Sequence, residues 1–128
     1  MTLRGPIVDG APRVFVQIRR GILSFSARGG TPLVIDTGFA GSLAIPRTIA
    51  RQLQLDFLGS ASFTLATGVS AELPTYATSV RMGSRLFNTW CIIDDALIGM
   101  EFLQQVCSQV RLDLDDETVE LVLRNERR

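Results

Sequence analysis

Short runs in which apolar and polar residues alternate, separated by glycine- and proline-rich turns, fill most of the chain. Such alternation places successive side chains on opposite faces, as in a half-buried β-strand. The clearest strand-like stretches are 12–19, 22–27, 33–35, 61–82 with an interruption at 66–68, 89–93, 110–114 and 118–123. A chain of 128 residues with 46% hydrophobic content can bury one modest core. The pattern therefore predicts a single, mostly β domain over residues 1–128.

Two short segments have helical rather than strand-like spacing. Pro46 precedes residues 47–53, in which Ile49 and Leu53 are four positions apart. Residues 99–107 place their apolar side chains on one helical face. The tail 124–128 has nothing apolar to pack, so we expect it to fray. The sequence thus predicts one short helix and one C-terminal helix on a β framework.

Composition excludes several classes of function. With 13 basic and 13 acidic residues the formal charge is zero, so no nucleic-acid partner is expected. The chain has no histidine, which removes Ser-His-Asp and Cys-His catalysis and the usual zinc sites. We therefore expect neither a metal nor a cofactor.

Cysteine usage and hydropathy bear on the compartment. Cys91 and Cys107 are too far apart for a Cys-x-x-Cys element and too few for a disulfide framework. They are expected to be buried thiols, as in a reducing compartment. No stretch approaches the roughly 18 apolar residues that span a bilayer, and the first residues do not resemble a signal peptide. These features predict a soluble, cytoplasmic protein with no membrane partner.

The acidic residue Asp36 follows an apolar run and precedes a glycine. Residues 33–35 are branched and apolar, so they indicate a short buried strand with the carboxylate of Asp36 at its end. A partly buried carboxylate is costly unless nearby groups stabilise it. Thr37 offers a hydroxyl, and Gly38 permits a tight turn whose backbone N–H approaches the carboxylate. Asp36 is therefore a candidate general acid or base, although common turn residues at an ordinary turn would give the same tripeptide.

A second motif, Leu97-Ile98-Gly99-Met100-Glu101-Phe102-Leu103, follows some sixty residues later. Together with Asp36-Thr37-Gly38 it resembles the retropepsin-like (clan AA) aspartic peptidases of the single-domain, prokaryotic type, over about residues 14–122. The resemblance implies a closed, β-barrel-like acid-protease fold that acts as a homodimer on peptide or protein substrates. It also implies that Thr37 donates its hydroxyl across the dimer axis, where a local turn hydrogen bond is the alternative.

Peptide hydrolysis without a metal, a histidine or a nucleophilic side chain leaves few options, and the natural one is a pair of carboxyl groups that activate a water between them. The chain has one Asp-Thr-Gly and no Asp-Ser-Gly, so a working pair needs Asp36 from two copies at a two-fold axis. Two adjacent carboxyl groups cannot both ionise, and such a pair titrates as a unit. The mechanism predicts a bell-shaped pH profile with an optimum on the acid side or near neutral.

The same resemblance implies roles for other segments of the chain. The hairpin around Ala66, Thr67, Gly68 and Val69 resembles the flap that closes over substrate, although it lacks a glycine-rich tip and an ordinary turn is the alternative. The pair Ile98-Gly99 is expected to pack behind the catalytic loop as structural support. Phe39 stands where classical retroviral members carry a small residue, a departure that concerns pocket shape more than chemistry.

The remaining polar and aromatic candidates have simpler interpretations. Asp94 and Asp95 are adjacent on a predicted strand and so point to opposite faces, which excludes them as a pair. Glu101 is expected to be solvated or paired with an arginine. Trp90 and Tyr76 are expected in the core or at an interface.

Two alternatives to an aspartic endopeptidase stay open. The same fold can serve as a peptide-binding or dimerisation module without turnover. It can also belong to a regulatory partner whose resting form is a monomer. An intact Asp36-Thr37-Gly38 argues against a pure binder, because a binder gains nothing from a costly buried acid pair.

Overall fold

Residues 1–64 and 67–125 are described by a computed structural model. In this part of the chain two helices accompany a set of β-strands. The helices are α1 (Arg47–Leu53) and α2 (Met100–Val106). The strands are β1 (Thr2–Val8), β2 (Ala11–Arg20), β3 (Leu23–Ser24), β4 (Thr31–Ile35), β5 (Leu43–Ile45), β6 (Phe57–Thr64), β7 (Ser70–Met82), β8 (Arg85–Ile93), β9 (Leu97–Ile98), β10 (Cys107–Asp113) and β11 (Thr118–Leu123). The mostly β prediction with two short helices is confirmed.

The strands form one continuous sheet in the order β10-β11-β1-β2-β4-β9-β5-β8-β7-β6, with β3 paired to β2. Strand β2 pairs with both β4 and β7, so the pairing path through β9, β5 and β8 returns to β2. Most neighbours are antiparallel, but β4 pairs with β9 and β5 with β8 in parallel. The parallel pair β4–β9 brings the two sequence motifs side by side.

The core lies between this sheet and the two helices. Alternation along β2 buries Val14, Val16 and Ile18, as the pattern predicts. Helix α1 contributes Ile49 and Leu53, and its observed bounds equal the predicted ones. Helix α2 contributes a second apolar face, Phe102, Leu103 and Val106. Both helices have only seven residues, so packing rather than intrinsic propensity stabilises them.

Several predicted boundaries are wrong. The strand expected over 22–27 is only β3, and Ile22 is 92% exposed. Cys107 begins β10 instead of extending the last helix, because it pairs with Leu123. The tail does not fray at Arg124, whose backbone N–H donates to the Val106 carbonyl at 2.8 Å. Residues 126–128 lie outside the described part of the chain.

Both cysteines are buried and unpaired. Burial raises the pKa of the Cys91 thiol to about 12 and that of the Cys107 thiol to about 11, because the interior disfavours a thiolate. The two thiols therefore stay protonated at neutral pH and behave as small apolar side chains, as predicted.

Among the described residues, neither helix has the length or the apolar character needed to cross a bilayer. The same residues contain no cluster of three or more cysteine or acidic side chains that could hold a metal ion.

Candidate active site

Asp36 lies directly after β4, where the strand ends beside β9. Its backbone N–H donates to the Ile98 carbonyl at 2.9 Å, which extends the parallel ladder by one bond. Its side chain is half-buried, and the backbone N–H of Gly38 donates to Oδ1 at 2.9 Å. The turn closes with a bond from the Phe39 N–H to the Asp36 carbonyl at 3.2 Å. The carboxylate is thus held at the end of β4 by a backbone N–H of its own loop.

Helix α2 is attached to this loop through backbone hydrogen bonds. The N–H groups at the start of a helix have no acceptor within the helix. Here the N–H of Gly99 donates to the Ser42 carbonyl at 2.7 Å, and that of Met100 to the Phe39 carbonyl at 2.8 Å. That of Glu101 reaches the Gly41 carbonyl at 3.3 Å. The loop carbonyls therefore satisfy the helix and fix the loop that carries Asp36.

Two glycines make room for Phe39. A Cβ on Gly41 would lie 2.6 Å from Cζ of the Phe39 ring. A Cβ on Gly99 would lie 2.7 Å from its Cδ2 and only 2.0 Å from the Gly41 carbonyl oxygen. The large side chain at position 39 is therefore accommodated by hydrogen atoms at positions 41 and 99. This packing places Ile98-Gly99 directly behind the Asp36 loop.

A groove of about 560 Å³ opens beside the Asp36 loop. One wall is the loop itself, another is the β6–β7 hairpin, and the third is the end of β8 with the following turn. The lining residues are Gly38, Phe39, Ala40, Gly41, Ala61, Ser62, Phe63, Thr64, Leu73, Trp90, Ile92, Asp94 and Leu97. Most of them are apolar, so the groove suits an apolar side chain next to the carboxylate.

The groove wall is built on three aromatic rings in series. The ring centroids of Phe39 and Phe63 are 6.0 Å apart, and those of Phe63 and Trp90 are 6.2 Å apart, both tilted. The indole N–H of Trp90 donates to Oε2 of Glu101 at 2.5 Å. Glu101 was expected to be solvated or paired with an arginine; it is exposed, in agreement with the first alternative, and it also accepts this hydrogen bond from Trp90. Glu101 thus orients one wall of the groove.

Thr37 is exposed, and its hydroxyl makes no hydrogen bond to the residues that the structure describes. It lines a cavity of about 340 Å³ together with one side of α2 and the first half of β10. The local turn bond considered as an alternative is therefore not formed among the described residues.

The hairpin predicted as a flap is present, with β6 paired to β7 from Thr64↔Ser70 downward. Thr67, Gly68 and Val69 lie at its tip, all exposed, and Gly68 has a φ of 84° that favours glycine. Ala66, the fourth predicted flap residue, lies outside the described residues. The groove is lined by the body of the hairpin, from Ala61 to Thr64, rather than by the described part of its tip.

The other candidates do not form a second site. Asp94 and Asp95 are both exposed, and Asp94 lies on the groove rim. A second depression of about 550 Å³, which includes Phe25, Arg28 and Arg81, shares no residue with the groove and contains no acidic side chain. Of the depressions named here, the groove is the one that residues 38–41 of the Asp36 loop line.

A hydrogen bond between two hydroxyl groups, one buried and one partly buried, lies at the end of the Asp36 loop. Ser42, fully buried at the end of the loop, shares a short hydrogen bond with the Thr89 hydroxyl on β8. The sequence offered no signal for this contact, because the residues are 47 positions apart.

Replacing Ser42 with alanine is expected to lower the free energy of unfolding by about 1–2 kcal/mol, because the Thr89 hydroxyl loses its partner. The double variant Ser42→Ala/Thr89→Val is expected to cost less than the sum of the two single changes. Urea denaturation at one fixed protein concentration measures both, with the exposed Ser60→Ala as a control within about 0.5 kcal/mol of wild type. Additive single effects would contradict the pairing.

Comparison with solved structures finds the EIAV protease, a retroviral protease, solved in complex with the inhibitor HBY-793. The match has a TM-score of 0.55 at 16% sequence identity and covers 77% of this chain and 89% of that chain. No family model and no curated protein matches the sequence. At this identity the likeness shows the fold alone, and that fold is the retropepsin-like one expected from the two motifs.

Proposed function

We propose that this chain is an aspartic endopeptidase of the single-domain retropepsin-like type. The observation that carries the proposal is the half-buried Asp36 carboxylate, fixed at 2.9 Å by the Gly38 N–H and placed beside a large apolar groove. The fold shared with a retroviral protease supports it. Phe39 and a hairpin tip without a glycine run favour the prokaryotic type within that fold.

The proposed catalyst is a pair of Asp36 side chains from two copies. In the described residues the only hydrogen bond to the Asp36 carboxylate comes from Gly38, so one carboxylate oxygen is left for a water or a partner. One carboxyl group keeps a proton and polarises the scissile carbonyl. The ionised partner takes a proton from the water as the water attacks. Thr37, whose hydroxyl has no partner within the described chain, would donate across the axis and hold the two loops together.

The substrate would be an extended peptide between the hairpin and the acid pair. An extended chain can hydrogen-bond like an added strand while alternate side chains enter pockets. The groove beneath β6 and β7 would receive one of these side chains between Phe39, Phe63 and Trp90. A cytoplasmic location is part of the proposal, supported by two free, buried cysteines.

The test is cleavage of a diverse peptide library between about pH 4 and pH 8, read by mass spectrometry. The proposal expects cuts within peptides and a bell-shaped rate profile, because the pair must hold one proton. A rate that rises steadily through alkaline pH would overturn it. Binding of library peptides without cleavage, by a protein shown to be dimeric, would identify the non-catalytic peptide-binding module instead.

A further inference from the structure

A depression of about 550 Å³, which we call the arginine depression, lies between β2, the end of β7 and the loop over residues 25–30. Gln17 and Arg81 are register partners there, and directly opposed residues point to the same face of a sheet. Their neighbours Ile18 and Val80 are 0% exposed in the core. Because successive side chains of a strand alternate, the pair points away from the core. The volume is within the range of sites that bind small molecules.

The loop between β3 and β4 positions a second arginine at this depression. The N–H of Gly30 donates to the Ala27 carbonyl at 3.0 Å, which closes a turn with Arg28 at its second position. The third position is Gly29, whose φ of 77° favours glycine. A Cβ on Gly30 would lie 3.3 Å from Cβ of Phe15, so the loop packs directly on β2. The backbone that carries Arg28 is therefore held against the strand.

The polar side chains that line the arginine depression can all donate hydrogen bonds, and none is acidic. They are Gln17, Ser26, Arg28 and Arg81. The side-chain oxygen of Gln17 already accepts a hydrogen bond from Nη1 of Arg19 at 2.9 Å. Within residues 1–64 and 67–125, the guanidinium group of neither Arg28 nor Arg81 forms an ion pair or a hydrogen bond. Unpaired guanidinium donors without a neighbouring acid attract an anion.

An aromatic surface lies beside these donors. Phe15 and Phe25 both line the arginine depression. Phe15 is two positions from Gln17 on β2, so it is on the same outer face, and it is 43% exposed. Phe25 packs against the core and is only partly buried. A ligand that has an apolar ring as well as a negative charge is therefore complementary to this surface.

We propose that the arginine depression binds a small organic anion, whose carboxylate or phosphate group lies between Arg28 and Arg81 and whose apolar ring contacts Phe15. Guanidinium groups bind both kinds of anion through paired N–H donors. The chain as a whole has no net charge, so the attraction is local to this surface. The arginine depression shares no residue with the groove beside Asp36, and the inference does not rest on the proposed function.

The first test is a titration of wild type with four probes, followed through its backbone amide signals by NMR. Phenyl phosphate and benzoate carry an anionic group on a ring, inorganic phosphate has no ring, and benzyl alcohol has no charge. One or both ring anions are expected to bind at least about 10-fold more tightly than inorganic phosphate or benzyl alcohol, because ring burial and charge-assisted hydrogen bonds both contribute. The tighter ring anion identifies the preferred anionic group. The amide signals of residues 15–17, 25–30 and 81 are expected to shift.

Substitutions separate the two parts of the ligand. Arg28→Gln and Arg81→Gln are each expected to weaken binding of the ring anion at least about fivefold, because each removes a charged donor. Phe15→Ala is expected to weaken binding of phenyl phosphate about 10-fold and to leave binding of inorganic phosphate unchanged. The matched control is Arg47→Gln, which removes one exposed positive charge on α1 outside the depression, and it is expected to bind like wild type.

Four results would overturn the proposal. They are no binding of either ring anion at millimolar concentration, shifts confined to other residues, equal affinity for inorganic phosphate and both ring anions, and equal weakening by Arg28→Gln and Arg47→Gln. Should a variant fail to fold by circular dichroism, the shifts of wild type decide.

The peptide-cleavage assay keeps this result separate from the proposed function. Asp36→Asn is expected to bind the ring anion as tightly as wild type, since Asp36 is not part of the arginine depression. Binding without any peptide cleavage retains this site and loses the endopeptidase. Cleavage by a wild type that binds neither ring anion retains the endopeptidase and rejects this site.

Discussion

Replacing Asp36 with asparagine is expected to abolish the proposed peptide cleavage while the fold and the proposed dimer persist. Asparagine has the same shape, and its side-chain oxygen can still accept the Gly38 N–H that now lies 2.9 Å from Oδ1. It cannot ionise and so cannot take a proton from water. We expect the rate to fall by about 10² to 10⁴-fold, the range attributed to a positioned acid or base.

The matched control is Asp9→Asn in the exposed β1–β2 turn. Asp9 has a φ of 51°, a conformation that asparagine tolerates well. This variant is expected to cleave at the wild-type rate. More than about a tenth of wild-type activity in Asp36→Asn would reject Asp36 as an essential group.

Mixing wild type with Asp36→Asn distinguishes an active site that two copies share from an active site that each copy contains by itself. In an equimolar mixture of wild type and Asp36→Asn, random pairing leaves about a quarter of the dimers with two acids. Cleavage is therefore expected to fall to about a quarter of that of wild type at the same total concentration. A fall to one half would show that each copy acts alone.

The second large effect is expected from Gly99→Ala. The new Cβ would lie 2.0 Å from the Gly41 carbonyl oxygen and 2.8 Å from that of Phe39. Both contacts are to backbone that is hydrogen-bonded to α2, so neither can move without breaking those bonds. We expect a loss of at least about 3 kcal/mol of unfolding free energy and more than about 10 °C in Tm. Failure to fold is the extreme of the same effect.

Gly21→Ala is the comparison for this variant. Gly21 has a φ of 58°, and nothing lies within 4 Å of a Cβ built there. Alanine at this position is expected to lower the free energy of unfolding only by the cost of the left-handed backbone conformation, about 1–2 kcal/mol. Thermal unfolding of both variants at equal concentration measures the difference. If Gly99→Ala is no less stable than Gly21→Ala, the close packing described around Gly99 is incorrect.

Local signals in the sequence account for the elements that were predicted well. Pro46 and the spacing of Ile49 and Leu53 define α1 completely, and strict alternation defines β2 and β11. Strand β1 was not predicted, because Gly5 and Pro6 interrupt its pattern. Its best signal was Asp9-Gly10, a two-residue turn with positive φ at both positions that is typical of a β-hairpin.

The candidate site was predictable only where its residues are local in sequence. The bond between Gly38 and Asp36 follows from a short motif, whereas the position of Ile98-Gly99 behind the loop was expected from the family resemblance alone. The groove could not be predicted from a short motif, because Phe39, Phe63 and Trp90 come from three distant segments of the sequence. Likewise, β10 lies at the end of the sheet order because β11 pairs with β1 on its other side, and no local sequence pattern predicts that pairing.

The hydrogen bonds between the Asp36 loop and α2 couple the opening of the loop to the unfolding of the helix. Opening the loop at residues 39–42 would leave the first N–H groups of α2 without acceptors and expose Phe39. Local opening there therefore costs nearly as much as unfolding the helix with it, so the two form one cooperative unit. The β6–β7 hairpin has no such tie at its described tip. Of these two walls of the groove, the loop that carries Asp36 is therefore the one whose opening is coupled to unfolding of a helix.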